Sequence, residues 1–570
     1  MSQEVSESTF NDKEFKEKAF SVDDWFDFKR ADEVVQAYNE GGGSGLKADP
    51  YVARSLIPAG TGKERDFSYI APELPELIAE ACVGCMDCVT NCPDTAILGK
   101  AVSNAVLEDT LNAIEDKNDR EFVREQFVET TKYYTSFEKR RAKKPELPEG
   151  ATFGIFIDPT KCKGCAECVE VCGDRGALKM IKKTPDNLPR FMAAFEAYNA
   201  LPNTKPEHRI VKDKRDLMLN DDNLTYVGGA GSCMGCGEAS VLRQFMAATS
   251  EKYGTNYGIV AATGCNTVYG STYPYNPFMV PWTNPLFENA PADAMGIRSA
   301  WDAMGHENRP LWVVGGDGAM LDIGFQSLSR LLTSGMNIKV LVLDTQVYSN
   351  TGGQTSTATY IGQEAKMSFH GKEVHGKVEG RKELGVICMM HPRTYVAQTV
   401  GPMAKHFYGA IERANEFNGP AVINVFTTCQ PEHGVADDMA AAQARLAVES
   451  RAFPVFVYDP DKGDTIKECM SLAGNPSATR DWHTRILADG TKKPVTFLEW
   501  AKTEGRFRKH FDKEGNPSTD LIQMGQEERL RNWWRLQELA GVENVDRKER
   551  AEAAKEAAKA AKEAAKAANA

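Results

Sequence analysis

The sequence has no long apolar run. Stretches such as Val340–Leu343 and Ala421–Val422 fall far short of the ~20 residues a membrane-spanning helix requires. The opening residues, MSQEVSESTFNDKEFKEK, have no apolar centre, so no secretory leader is read there. Basic charge is in deficit: 68 Lys and Arg stand against 80 Asp and Glu, for a net charge of −12. That balance argues against a general nucleic-acid binder, which carries a basic footprint. Cysteine is scarce for a disulfide scaffold, with 14 in 570 residues. A cytoplasmic, reducing compartment is therefore expected, where clustered cysteines act as metal or redox ligands.

What remains is an ordinary core-forming composition, 42% hydrophobic and 26% charged. Residues 1–50 read as a polar N-terminal extension, with Ser21–Tyr38 a short docking helix and a flexible Gly-rich end. Residues 51–75 read as a connector. Gly60–Lys63 lacks the spacing of a phosphate loop and is taken as plain loop. Residues 76–200 hold two cysteine runs around a charged insertion, Glu108–Lys144, of helical periodicity. Across 215–480, β-branched runs at Gly258–Ala262, Leu311–Val314, Ile338–Leu343 and Ala421–Phe426 alternate with helix-like segments, such as Gly324–Leu332 and Met403–Phe417. This alternation predicts an α/β unit with a doubly wound parallel sheet. Residues 481–548 read as a peripheral extension, and 549–570 as a solvated Ala/Lys/Glu helix.

The cysteine runs are Cys82, Cys85, Cys88, Cys92 and Cys162, Cys165, Cys168, Cys172. In this ferredoxin-type spacing three thiolates on a tight loop hold one [4Fe–4S] cube and the fourth ligates the other. One cluster is thus assigned to Cys82, Cys85, Cys88 and Cys172. The second takes Cys162, Cys165, Cys168 and Cys92. Two complete runs argue against structural zinc. An α+β ferredoxin-like domain of the bacterial two-cluster type follows. Gly173 stands where such runs usually carry Pro. Cys388 and Cys469 have no such placement and read as structural.

Cys233 and Cys236 lie in a Gly-rich loop, and Cys265 and Cys429 each follow a predicted strand. Strand ends of a parallel sheet converge on one rim. These four thiols either hold a third cluster or are buried and free; spacing does not decide.

The run VVGGDGAM, with Asp317, reads as strand, turn and helix. A second strand leads into DTQVYSNTGG. Together they look like the Gly-Asp-Gly…Asn motif for thiamine diphosphate. Mg²⁺ prefers oxygen ligands in near-octahedral geometry, which Asp317, the Thr345 hydroxyl and the Val347 carbonyl can supply. Gly316 and Gly318 would let the backbone approach the phosphates.

The two cysteine runs with GSCMGCGE, ATGCNTVYGSTYP, PWTNPLFENA, VVGGDGAMLDIG, LDTQVYSNTGGQTS and FTTCQPEHG resemble the C-terminal half of the pyruvate:ferredoxin (flavodoxin) oxidoreductase family. The resemblance implies conversion of a 2-oxoacid, pyruvate first, and coenzyme A to acyl-CoA and CO₂, with reverse running as pyruvate synthase open. It implies a proximal [4Fe–4S] cluster on Cys233, Cys236, Cys265 and Cys429, for three clusters in all. Thiamine diphosphate contacts are implied for Glu238, Cys265, Gly316, Asp317, Gly318, Ala319, Thr345, Gln346, Val347, Tyr348, Ser349 and Asn350. The family's pyrimidine-binding half, with its activating glutamate, and its coenzyme A domain lie upstream of the matching region. A second subunit is expected to supply both, making a hetero-oligomer that reduces ferredoxin or flavodoxin. Another 2-oxoacid such as 2-oxoglutarate, or an electron-transfer subunit with an empty thiamine fold, are the alternatives.

Overall fold

The computed structural model describes residues 28–47, 57–210, 212, 214–371 and 374–568. Much of the polar extension and the start of the connector lie outside the described residues. A helix spans Phe28–Asn39, with Val34 and Val35 buried, while residues 21–27 of the expected docking helix lie outside the described residues. Tyr38 meets Tyr273 edge to face. The Gly60–Lys63 stretch, read as plain loop, instead opens a short 3₁₀ turn over Thr61–Glu64 with Gly60 left-handed before it. The Gly60 and Gly62 amides donate to the carbonyls of Phe278 and Asn276, both at 3.0 Å.

The cysteine-rich unit contains β1 (Glu73–Leu77), β2 (Ile97–Val102), β3 (Phe127–Val128), β4 (Thr152–Ile157) and β5 (Leu178–Lys182). β1 pairs antiparallel with β5, and β4 lies between β2 and β3, antiparallel to both. The unit begins at Glu73, and its apolar core continues past the Leu188–Ala200 helix to Leu219. The charged insertion is helical at Asn104–Ala113, Lys117–Glu125 and Ser136–Arg141. It also supplies β3, which its charge pattern conceals.

The larger unit contains β6 (Gly258–Ala261), β7 (Trp282–Thr283), β8 (Leu311–Gly316), β9 (Lys339–Asp344), a small hairpin of β10 (Phe369–His370) and β11 (His375–Gly376), β12 (Tyr395–Val400), β13 (Ala421–Phe426), β14 (Phe456–Tyr458) and β15 (Met470–Ser471). Eight of these form one sheet in the order β15-β14-β12-β13-β9-β8-β6-β7. From β12 to β7 every neighbour is parallel; β14 and β15 complete the edge antiparallel. The central strands are buried along their whole length, because helices cover both faces. Each fully buried Val, Leu or Ile contributes about 1.5–3 kcal/mol of transfer free energy.

The stretch 481–548 is more than peripheral. Its helix Asp520–Leu539 buries Trp533 and Leu536 in the core that holds Val313 and Val340. Phe497, Trp500 and Phe507 close around Tyr360. The tail is helical over Val545–Ala568, and it is tied at its start by Asp546 to Arg480 at 2.7 Å and by Arg550 to Asp481 at 2.7 Å. Among the described residues no helix is long and apolar enough to cross a membrane.

Candidate functional site

β13, β9, β8 and β6 are adjacent and parallel, so their C-terminal ends share one rim. Each delivers one residue of interest just past its end: Cys429, Thr345, Asp317 and Cys265. Between them opens a cleft lined by Glu238, Cys265, Gly316–Ala319, Thr345, Val347 and Tyr348–Thr351, with Thr263, Gly264, Asn266 and Phe287. Of the residues expected to contact the cofactor, only Gln346 does not line it. Its φ of +60° turns the side chain inward. There its amide donates to the Asp344 side chain and carbonyl, and its oxygen accepts from Arg506 at 3.0 Å.

Asp317 is fully buried. Its Oδ1 accepts from the Thr345 amide and hydroxyl, each at 3.2 Å, and its Oδ2 from Ser356 at 2.5 Å. The Thr345 hydroxyl also lies 3.1 Å from the Val347 carbonyl. Three hard oxygens thus converge. Neighbouring ligands of an octahedral Mg²⁺ at ~2.1 Å stand about 3 Å apart, so the donor set fits that ion. Burial, with Asp344 close behind, pushes the Asp317 carboxyl up to about 8; a divalent cation there would restore its charge. Asp344 is itself held by a buried ion pair with Arg381. Gly318 lines the cleft and has a packing reason as well: a Cβ there would come within 2.4 Å of the Tyr348 ring. Packing against Tyr348 therefore demands the glycine. Glu238, at the start of the helix Gly237–Tyr253, is pushed up to about 8 by burial, opposed by hydrogen bonds from Asn266.

Cys265 belongs to the cleft and also to a thiol group. Cys236, Cys429 and Cys233 act on it electrostatically, so the four thiols lie within charge–charge reach of one another. The Gln430 amide donates to the Gly235 carbonyl, and the Gly237 amide to the Thr428 carbonyl, joining the two loops. Cys233 is exposed; Cys236, Cys265 and Cys429 are half-buried.

The cysteine-rich unit contains two small voids. Cys82, Cys85, Cys88 and Cys172 line the first; Cys92, Cys162, Cys165 and Cys168 line the second. The crossed pairing expected from spacing is the pairing of the voids. The two loops repeat one conformation: Gly84 and Met86, like Gly164 and Ala166, all have positive φ. Gly173 takes φ +56°, which proline cannot adopt, so its departure from the usual pattern has a backbone reason. Burial pushes the Cys82 thiol up to about 11 and that of Cys162 to about 12. Such thiols keep their protons unless metal displaces them. Cys388 and Cys469 are buried away from these groups.

Residues 262–425 match the thiamine pyrophosphate enzyme C-terminal TPP-binding domain. Pyruvate synthase subunit PorB of Pyrococcus furiosus is 33% identical over 292 residues, covering 50% of this chain and 87% of that subunit. The chain belongs to the pyruvate:ferredoxin (flavodoxin) oxidoreductase family. Pyruvate-flavodoxin oxidoreductase of Rhodospirillum rubrum is 26% identical over 610 residues, covering 93% of this chain and 46% of that protein. The probable pyruvate-flavodoxin oxidoreductase of Escherichia coli is 26% identical over 511 residues, with 78% and 40% covered. The chain thus spans less than half the length of these two relatives.

Within this family fold, several site residues escaped the sequence reading. Phe287, Thr351 and Ser356 lie inside matching segments, yet nothing in their own pattern marks them. His433, whose Nε2 lies 2.9 Å from the Thr345 carbonyl, supports the cation loop from a different strand end. Only the fold brings it there.

Proposed function

We propose that this chain is the thiamine diphosphate- and iron–sulfur-carrying part of a coenzyme-A-dependent 2-oxoacid oxidoreductase, with pyruvate as substrate and ferredoxin or flavodoxin as carrier. The observation that carries this reading is the double membership of Cys265, in the cofactor cleft and in the Cys233–Cys236–Cys429 thiol group. Thiamine diphosphate, when bound, supplies the electron sink for decarboxylation, and iron–sulfur clusters supply one-electron acceptors.

The chain's own residues divide the work. Asp317, Thr345 and the Val347 carbonyl would hold Mg²⁺, which would neutralise the charge of a diphosphate in the cleft. Gly316–Ala319 and Tyr348–Asn350 form the cradle. Buried Glu238 sits beside Cys265 in the cleft, where its carboxyl can hold a proton near neutral pH. The Cys233 group would hold the electron acceptor nearest the cofactor cleft, because Cys265 lines both. The Cys162 void follows: Lys163, on its wall, donates to the Ala230 and Ser232 carbonyls at 2.9 and 2.8 Å, directly beside Cys233. The Cys82 void comes last; Cys88 lies near Cys168 across the pair. A partner subunit supplies the pyrimidine half-site, the activating glutamate and the coenzyme A domain.

The test is anaerobic co-purification from the native source with iron and thiamine counted. 2-Oxoacids, 2-oxoglutarate included, are then screened for coenzyme-A-dependent dye reduction. About twelve irons per chain, one thiamine diphosphate and pyruvate-dependent reduction are expected. Iron without thiamine would leave only an electron-transfer subunit, and 2-oxoglutarate as the preferred substrate would overturn the pyruvate assignment.

A further inference from the structure

Arg243 lies two turns into the helix that opens at Gly237, and it is 1% exposed. Its Nη1 donates to the carbonyls of Val89 and, at 3.4 Å, Cys92. Its Nε and Nη2 have no hydrogen-bond partner. Among the described residues no carboxylate forms an ion pair with it. Asp94, a carboxylate that acts on it electrostatically, is committed to Lys163 at 2.7 Å. Arginine cannot shed its proton to escape burial, and a buried charge without a counter-charge is strongly destabilising. Something negative must therefore stand close by.

Cys92 is the candidate's connection. It is one of the four thiols around the Cys162 void, and the guanidinium donates to its carbonyl without lining the void itself. Four thiolates outweigh the charge of a [4Fe–4S] cube, so a loaded site is anionic, and each added electron makes it more so. At the other void, among the described residues, the nearby cations have carboxylate partners: Lys132 donates to the Gly84 carbonyl at 3.3 Å and is paired with Asp216. The cation on its wall is Arg175, whose side chain is 40% exposed and already paired with Asp87, so solvent screens it. Lys163 offers the second void little net charge, because Asp94 neutralises it. The two voids share a loop conformation but differ in this one buried cation that has no carboxylate partner among the described residues.

We propose that Arg243 is the built-in counter-charge of the cluster held by Cys92, Cys162, Cys165 and Cys168, and that it raises that cluster's reduction potential. It is a positioning residue acting through Cys92 and does not touch substrate. The inference rests on the iron–sulfur reading above. Its consequence is a middle acceptor, next to the Cys233 group, that is easier to reduce than its loop geometry alone would make it.

The experiment is a redox titration followed by electron paramagnetic resonance on the anaerobically purified holoprotein, comparing wild type, Arg243→Met and Arg243→Lys. Arg243→Met removes the charge but keeps apolar bulk; Arg243→Lys keeps the charge. Arg243→Met should lower the reduction constant of one cluster by at least about tenfold, or 59 mV for a one-electron couple, leaving the others in place. Arg243→Lys should restore most of that shift. An unmoved potential in a fully loaded Arg243→Met protein overturns the proposal, as does an Arg243→Lys shift of equal size. Should Arg243→Met lose a cube's four irons, retention of those irons and the wild-type potential in Arg243→Lys supports the counter-charge, and loss in both variants refutes it. Wild-type protein without iron would instead fail the proposed function, so the two failures are distinguishable.

Discussion

Each ferredoxin-type void draws three of its four cysteines from one short loop, Cys82–Cys88 or Cys162–Cys168, whereas the cleft beside Asp317 collects its lining from the ends of separate strands. The first design is local: two left-handed residues in each loop aim the thiols inward, and only the fourth ligand comes from the other run. The second exists only once β13, β9, β8 and β6 lie side by side. Cluster sites of the first kind should therefore tolerate damage to the cleft, while the cleft should depend on the whole sheet. The thiol group of Cys233, Cys236, Cys265 and Cys429 sits between the two cases, half loop and half strand end.

The sharpest way to break that contrast is Asp317→Ala. Losing a metal ligand should weaken thiamine diphosphate binding by more than about 100-fold, beyond the usual effect of an outer-shell change, and turnover should vanish. Iron content should stay at the wild-type level. Calorimetric binding alongside iron analysis checks both, and a fall in iron would show that the regions are not separable. Next comes Cys172→Ser. Although it lies in the second run, it should remove the cluster of the first, about four irons, leaving the Cys162 site spectroscopically intact. Loss of the Cys162 signal instead would contradict the crossed pairing. Gly318→Ala should cost less, about 1–3 kcal/mol from overpacking against Tyr348, read as a lowered urea midpoint. Adding Tyr348→Ala should recover stability, with a coupling above about 0.5 kcal/mol. Smallest is deletion of residues 553–570, which should change stability by less than about 0.5 kcal/mol, since the tail's ion pairs to Arg480 and Asp481 fall before that point.

The same contrast explains what was legible in the sequence. Cysteine spacing announces its own geometry, so both quartets and the crossed pairing follow from it. The strands at Gly258, Leu311, Lys339 and Ala421 stand out because buried parallel strands are continuous apolar runs. β12 does not, because Gln398 and Thr399 interrupt YVAQTV; both are buried, and Gln398 is satisfied by the Pro454 carbonyl at 2.7 Å. Gln346 looked like part of the cradle because it lies between Thr345 and Val347. A left-handed backbone and a distant Arg506 turn it away, and neither is visible locally. The meeting of Cys429 with Cys236 needed the resemblance first and the sheet order second, since nearly 200 residues separate them.

The central claim is that an organic electron donor and an iron–sulfur cluster share one strand end. Anomalous diffraction at the iron edge from crystals of the loaded protein tests it directly. The account predicts three iron sites in each chain, one bonded to Cys233, Cys236, Cys265 and Cys429, with thiamine diphosphate beside it over Asp317. Iron absent from those four thiols, with the cofactor seated elsewhere, would contradict it.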